Sequence, residues 1–161
     1  MHVIDGQTPA HGLRVVLVVS RYHDFVTARL ERGALAALSA AGVAPESTTV
    51  VRVPGAFEIP SAARLAADTG QFDAVVGLGC LIRGETPHFE FIASAVAHGL
   101  VVASLETRVP MTFGVLTTNS AEEALARAVD GPSNKGWEAA TAGVEMATLA
   151  RAVRNPGSFG T

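Results

Sequence analysis

The stretch DAVVGLGCL, residues 73–81, is apolar throughout apart from the aspartate at its first position. An uninterrupted run of small and β-branched residues bounded by turn residues is typical of a β-strand that is buried on both faces. The stretch that follows, IRGETPHFEFI at 82–92, sets charged and polar side chains around one glycine and one proline. This change predicts a strand that ends either in an ordinary polar turn before a helix or at the rim of an active site.

The same sequence of apolar strand and Ala-rich helix recurs along the chain. The predicted strands are residues 14–20, 48–53, 73–81, 100–106 and 114–118, and the predicted helices are 25–42, 60–70, 86–99, 121–129 and 135–153, with 107–113 as a connection. Thr86 is expected to cap the third helix, with Pro87 at its first helical position. The alternation predicts an α/β fold: a three-layer αβα sandwich around a parallel sheet of four to five strands, in the order 2-1-3-4-(5).

The length of 161 residues suits one domain over residues 1–161, with an N-terminal arm at 1–12 and a frayed tail at 155–161. Hydrophobic residues make up 48% of the chain and charged residues 17%, which is apolar for a single small domain. We therefore expect part of the surface to be buried against other copies of the chain in a homo-oligomer.

The charge pattern narrows the possible partners. The formal net charge is -3 and no Lys/Arg cluster is present, which argues against nucleic acid and against an anionic membrane surface as the main partner. No signal peptide and no run as long as a membrane span is recognised, so a cytoplasmic location is expected. The single cysteine, Cys80, excludes an internal disulfide and reads as an inert core thiol.

Several cofactor motifs are missing from the sequence. The stretch GLGCLI at 77–82 lacks the third glycine of a dinucleotide fingerprint and lies at the end of a strand. The chain has no P-loop, no paired His/Cys spacing for zinc and no G-x-S-x-G elbow. We therefore expect a chemistry that uses no metal and no redox cofactor.

The predicted fold directs attention to one edge of the sheet, since parallel α/β sheets bind ligands at the carboxyl ends of their strands. The loops expected there are SRYHDF at 20–25, PGAFEIP at 54–60, IRGETPH at 82–88 and TRVPMTF at 107–113. Each carries an aromatic, acidic, basic or histidine side chain, whereas the loops at the opposite edge look like plain connectors. The sequence thus predicts a binding site at the carboxyl edge.

Single residues in these loops allow two interpretations each. Tyr22 could stack on a flat ring or pack half-buried, and Glu58 could bind hydroxyl groups or complement a helix dipole. The free N–H groups of a helix that begins near Thr86 could bind phosphate, and His88 beside them could move protons. His88 could equally be a plain surface residue.

Two basic residues further along the chain also allow both a ligand-binding and a structural interpretation. Arg127 could bind an anion or pair with Glu123 one helical turn earlier. Lys135 could contact a ligand or remain solvated.

Four motifs in order carry a family likeness: VPGAFEIP, GCLIRGETPHFEFI, VPMTFGVLTT and NKGWEAA. Together they resemble the lumazine synthases of riboflavin biosynthesis over about residues 14–151. The resemblance implies a flavodoxin-like fold and a transferase that condenses 5-amino-6-(D-ribitylamino)uracil with 3,4-dihydroxy-2-butanone 4-phosphate. The products are 6,7-dimethyl-8-ribityllumazine, phosphate and water, and no cofactor is implied.

The resemblance also implies roles for individual residues. His88 corresponds to the proton-transfer residue, and the phosphate site corresponds to Glu85, Thr86 and Arg127, the last supplied by a neighbouring subunit. The implied substrate-binding positions are Tyr22, Ala56, Phe57, Glu58, Leu81, Ile82, Phe113 and Lys135, with Phe113 also supplied by the neighbour. The roles of His23 and Arg83 stay open.

The family forms pentamers, and some members build decamers or sixty-subunit shells. Shell-forming members often carry a Gly-x-Lys-x-Gly-Asn loop, where this chain has VDGPSN at 129–134. This favours a free pentamer with sites between subunits. Two other functions stay open: a related riboflavin synthase that dismutates lumazine, and a non-catalytic lumazine- or flavin-binding assembly.

Overall fold

The computed structural model describes residues 1–7, 10–155 and 157. Within these residues the strands are β1 (Val15–Ser20), β2 (Thr48–Val53), β3 (Ala74–Ile82) and β4 (Met111–Thr118), all parallel. They form one sheet in the order β2-β1-β3-β4. The helices are α1 (Asp24–Ala40), α2 (Ile59–Asp68), α3 (His88–Thr107), α4 (Ala121–Ala126) and α5 (Lys135–Arg154). The predicted α/β sandwich and its strand order 2-1-3-4 are confirmed.

The sheet is buried on both faces, as the apolar strand patterns predict. In β1, Val15, Leu17 and Val19 belong to the core cluster shared with α1 and α5. The alternate residues Val16 and Val18 belong to the cluster on the opposite face, shared with α2 and α3. Successive strand side chains point to opposite faces, so one strand serves two cores and the helices cover both.

The predicted fourth strand at 100–106 is wrong, because these residues form the second half of the 20-residue helix α3. Val96, Leu100 and Ala103 are the buried residues of this helix, and their spacing of four and three is helical rather than alternating. Gly99 does not end the helix. A Cβ there would lie 2.8 Å from Cβ of Pro60, so the glycine allows α2 to pack closely against α3.

The full length of α3 bears on the expectation that the chain has no apolar run as long as a membrane span. It is 20 residues long with a mean hydropathy of 1.4, which by length and composition is enough to cross a membrane, and 17% of it is buried. The expectation that no run approaches this length was wrong, because it divided the helix at Gly99. Phe91, Val101 and Leu105 stand on its exposed face, at 73%, 58% and 75% exposure.

Strand β4 replaces the predicted fifth strand and begins earlier. Met111 pairs with Val75 and Phe113 with Gly77, so these residues belong to the sheet and not to a connection. The segment before β4 therefore lies at the amino edge of the sheet. The prediction that 107–113 forms a fourth loop at the carboxyl edge is wrong, because the strand assigned before it is a helix.

The described part of the N-terminal arm lies against α5, the last helix. The backbone N–H of Gln7 donates to Oγ1 of Thr148 at 2.9 Å, which places the predicted N-terminal arm along this helix. Helix α5 reaches Arg154, one residue beyond its predicted end. Of the predicted frayed tail at 155–161, residues 156 and 158–161 lie outside the described residues.

Candidate active site

A cleft of about 1010 Å³ opens at the carboxyl ends of β1, β2 and β3, and we call it the main cleft. The loops after these three strands all contribute to its walls. Its lining includes Tyr22, His23, Gly55, Ala56, Phe57, Glu58, Leu81, Ile82, Gly84, Thr86, His88 and Phe89. Eight of these are among the predicted site residues, and the fold thus brings together positions as distant in sequence as Tyr22 and His88.

The aromatic wall of the main cleft is formed by the first loop. Tyr22 is 69% exposed and its ring meets the ring of His23 edge-on, with 4.5 Å between centroids. The backbone N–H of Tyr22 donates to the carbonyl of Pro54 at 3.1 Å, which ties this loop to the second one. An exposed ring on a fixed backbone is suited to stacking on a flat ligand.

His23 has a structural role that the sequence did not indicate. It is the N-cap residue of α1 and has a left-handed backbone, with φ at 63°. Asn, Asp and His are the side-chain-bearing residues that best tolerate this conformation. Partial burial lowers the pKa of His23, so its imidazole is mainly uncharged at neutral pH.

Glu58 lies in a tight turn on the second loop. Its Oε2 accepts a hydrogen bond from the backbone N–H of Gly55 at 3.0 Å. The interpretation of Glu58 as a carboxylate at a helix start is therefore correct in part. Within the described residues its other carboxylate oxygen has no hydrogen-bond donor, so it can accept from a ligand in the main cleft.

The third loop presents a row of free backbone donors. Within the described part of the chain, no acceptor binds the N–H groups of five residues: Gly84, Glu85, Thr86, His88 and Phe89. Pro87 between them has no N–H. Helix α3 begins at His88 with Pro87 as its N-cap, one residue later than predicted, so Thr86 does not cap it. Free N–H groups at a helix start favour an anion. His88 is exposed beside them.

Arg83 spans this loop with its side chain. Its guanidinium carbon lies 5.3 Å from the centroid of the Phe89 ring, and its Nη2 lies 3.4 Å from Oε1 of Glu90. Its backbone N–H donates to the carbonyl of Thr118 at 2.8 Å. Arg83 therefore connects the end of the sheet with the first turn of α3. A pocket of about 250 Å³ beside it is lined by Arg83, Glu85 and Thr86, among others.

The remaining predicted residues lie elsewhere, in a cleft of about 470 Å³ along β4 that we call the edge cleft. Phe113, Arg127 and Lys135 line it, and none of them lines the main cleft. The backbone N–H of Lys135 donates to the carbonyl of Arg127 at 2.9 Å, which holds the two cations near each other. A single chain therefore carries the predicted site in two separate parts.

Glu138 is a site residue that the sequence reasoning missed. It lines the edge cleft, and Nζ of Lys135 lies 2.8 Å and 3.0 Å from its two carboxylate oxygens. The sequence does contain a signal for this ion pair, because Lys135 and Glu138 are three positions apart at the start of a predicted helix. Arg127 does not pair with the carboxylate of Glu123; its Nη1 donates to the Glu123 carbonyl at 3.1 Å.

Cys80 contributes to the main cleft from β3, but its side chain belongs to the core on the other face of the sheet. The residue is 2% exposed, and burial raises the pKa of its thiol to about 11. The thiolate is the reactive form of cysteine, so a neutral buried thiol is inert. This agrees with the sequence-based interpretation.

Together, the parallel sheet and the main cleft define an α/β protein whose largest described cleft lies at the carboxyl ends of its strands, where sheets of this class bind small ligands. A family model for 6,7-dimethyl-8-ribityllumazine synthase matches residues 12–151, nearly the whole chain. The chain therefore belongs to the 6,7-dimethyl-8-ribityllumazine synthase family, as its motifs indicated.

Individual relatives agree with the family model. A 6,7-dimethyl-8-ribityllumazine synthase of Chlorobaculum parvum is 47% identical over 146 residues, covering 91% of this chain and 94% of the relative. Proteins of the same name from Syntrophus aciditrophicus and Chlorobium chlorochromatii are 46% and 45% identical, each covering 94% of this chain. The two alignments cover 98% and 99% of these relatives' own lengths, so the similarity extends over almost the whole of each chain.

Proposed function

We propose that this chain is a transferase that condenses 5-amino-6-(D-ribitylamino)uracil with 3,4-dihydroxy-2-butanone 4-phosphate. The products are 6,7-dimethyl-8-ribityllumazine, phosphate and water, and the reaction is the penultimate step of riboflavin biosynthesis. Family membership supports this reaction. The observation that carries the proposal is the row of free N–H groups from Gly84 to Phe89 with His88 beside it.

The main cleft has groups suited to the pyrimidine substrate. Tyr22 stacks on the flat ring, and the free carboxylate oxygen of Glu58 accepts from hydroxyls of the ribityl chain. Ala56 and Phe57 line the path of that chain, while backbone groups of Leu81 and Ile82 face the heterocycle. With these assignments, the exposed side chains of Tyr22 and Glu58 and the end of β3 contact the same substrate in one cleft.

The third loop has groups suited to the phosphate substrate. The phosphate accepts from the N–H groups of Glu85 and Thr86, which a helix start leaves free. His88 moves protons during Schiff-base formation, phosphate elimination and ring closure, because an imidazole gains and loses a proton near neutral pH. The elimination is favoured when the leaving phosphate already sits among hydrogen-bond donors.

The edge cleft completes the site from a neighbouring subunit. It offers Phe113 as a second ring, Arg127 as a cation for the phosphate and Lys135 as a cation for the pyrimidine. One chain holds these residues away from its own main cleft, which supports a site shared by two chains. The exposed apolar residues of α3 support association, since Phe91 and Leu105 stand on one face two heptads apart.

The assembly that we propose is a free pentamer in the cytoplasm. The turn at Gly131 has a left-handed backbone, with φ at 102°; the loop lacks the lysine of shell-forming members and has Pro132 in the turn. Light scattering should give five times the 16.6 kDa of one chain. A mass close to sixty chains would contradict the free pentamer and leave the reaction unaffected.

The deciding experiment mixes the purified protein with both substrates and records two signals. We expect lumazine absorbance to rise in step with released inorganic phosphate, one phosphate for each lumazine. A riboflavin synthase would instead consume added lumazine and release no phosphate. A non-catalytic binder would give neither signal, although it would bind lumazine.

A further inference from the structure

The loop that carries the free donors has little to hold its shape. The N–H groups of Gly84, Glu85 and Thr86 make no hydrogen bond within the described residues, Pro87 has no N–H, and a Cβ at Gly84 would meet nothing within 4 Å. Such a loop can adopt many conformations, and ordering it costs conformational entropy. A side-chain contact that spans the loop would reduce this cost.

Arg83 is placed to do this. Its backbone is fixed to β4 through Thr118, and its side chain passes over the loop to Phe89 and Glu90 in the first turn of α3. The two contacts differ in kind: a cation over an aromatic face and an ion pair. The contacts therefore link the end of β3 to the first turn of α3 across the loop.

We propose that Arg83 is a positioning residue for phosphate binding, which acts by holding the loop 84–87 between β3 and the first turn of α3. It does so without touching the phosphate, since its guanidinium is engaged by Phe89 and Glu90. The inference rests on the proposed function, because it concerns the phosphate-bearing substrate of that reaction.

The main test compares Arg83→Gln with the unaltered enzyme in steady-state assays. We expect the KM for the butanone phosphate to rise about fivefold, since an exposed ion pair and an exposed cation–π contact together contribute on the order of 1 kcal/mol. The kcat and the KM for the pyrimidine substrate should stay within about twofold. Inorganic phosphate, used as an inhibitor, should bind more weakly by the same factor.

Glu90→Gln separates positioning from direct contact. If Arg83 acts through Glu90, this variant also raises the KM for the butanone phosphate, and the double variant is no worse than Arg83→Gln alone. If Arg83 binds the phosphate itself, releasing it from Glu90 leaves that KM unchanged or lowers it, which overturns the proposal. Arg83→Lys keeps the charge but loses the planar group, so we expect part of the effect to be recovered.

Arg64→Gln is the matched control, because Arg64 also pairs with an acidic residue of α3, Glu106, but at the far end of the helix. We expect both KM values to stay unchanged in this variant. An unchanged KM for the butanone phosphate in Arg83→Gln overturns the positioning role, while lumazine and phosphate formation by the unaltered enzyme still stands. If Arg83→Gln does not assemble, Glu90→Gln decides alone: a raised KM supports the proposal and an unchanged one overturns it.

Discussion

His88 stands in the first turn of α3 with an exposed side chain, beside the free N–H groups of the third loop. We predict that His88→Ala lowers kcat by about 10²-fold, at the small end of what general acid–base catalysis supplies. Activity should persist, because orientation of two bound substrates can contribute about 7–11 kcal/mol. Steady-state lumazine formation measures the effect.

His11→Ala is the control for this prediction, since His11 is exposed at the start of the fold and lines neither cleft. It should leave the rate unchanged. An unchanged kcat in His88→Ala would remove His88 from proton transfer.

The sequence could predict the roles of some site residues but not of others. Tyr22 and His88 could be predicted as site residues because their types suit stacking and proton transfer. The cap position of His23 could not, because a positive φ depends on how the loop enters α1 and leaves no mark on composition. The Lys135–Glu138 ion pair could have been predicted, because its spacing of three residues brings the two side chains together on a helix.

Among the elements, α5 depends on a buried cap. Asn134 is fully buried, and its Oδ1 accepts from the N–H groups of Gly136 and Trp137 at 2.7 Å and 3.2 Å. Its Nδ2 donates to the carbonyl of Arg29 in α1 at 3.2 Å. One side chain thus begins α5, joins it to α1 and sets the position of Lys135.

We predict that Asn134→Ala lowers the free energy of unfolding by about 2–3 kcal/mol, because it removes a cap and leaves the buried N–H of Gly136 without a partner. Guanidinium unfolding measures the change. Asn134→Ser keeps a side-chain acceptor for the first turn of α5 and should cost less. A loss below about 0.5 kcal/mol in Asn134→Ala would contradict the role of this cap.

The main error in the predicted secondary structure is the second half of α3, which was predicted as a strand. Strands β1, β2 and β3 could be predicted because their β-branched runs lie between clear turn residues. The second half of α3 has similar composition, with Val101 and Val102 after a glycine, and was read as a strand. What decides for a helix is the packing of Leu100 and Ala103 on one face, and this depends on the tertiary structure.

For the whole molecule, the separation of the two clefts gives a test with mixed variants. His88→Ala damages the main cleft and Arg127→Ala the edge cleft, so each pure variant should be poorly active. Unfolded together and reassembled at equal amounts, they should recover activity at roughly a quarter of the shared sites, where two intact halves meet. Lumazine formation by the mixture measures this recovery.

The control is a mixture of His88→Ala with Glu58→Ala, because both changes lie in the main cleft. No intact main cleft exists in that mixture, so no recovery is expected. Equal recovery in both mixtures, or in neither, would contradict a site shared between chains. A site shared between chains could be expected only from the family resemblance, because the residues of one chain carry no mark of which chain supplies them.

The row of free N–H groups from Gly84 to Phe89 has a consequence for exchange with solvent. A backbone amide without an acceptor is protected only by burial, and Gly84, Glu85, Thr86 and His88 are exposed. In deuterated water these amides should exchange within the first time points, while the buried amides of neighbouring β3 keep their protons far longer. A bound phosphate should slow exchange at Glu85 and Thr86 first, so that the arrival of the ligand is recorded amide by amide.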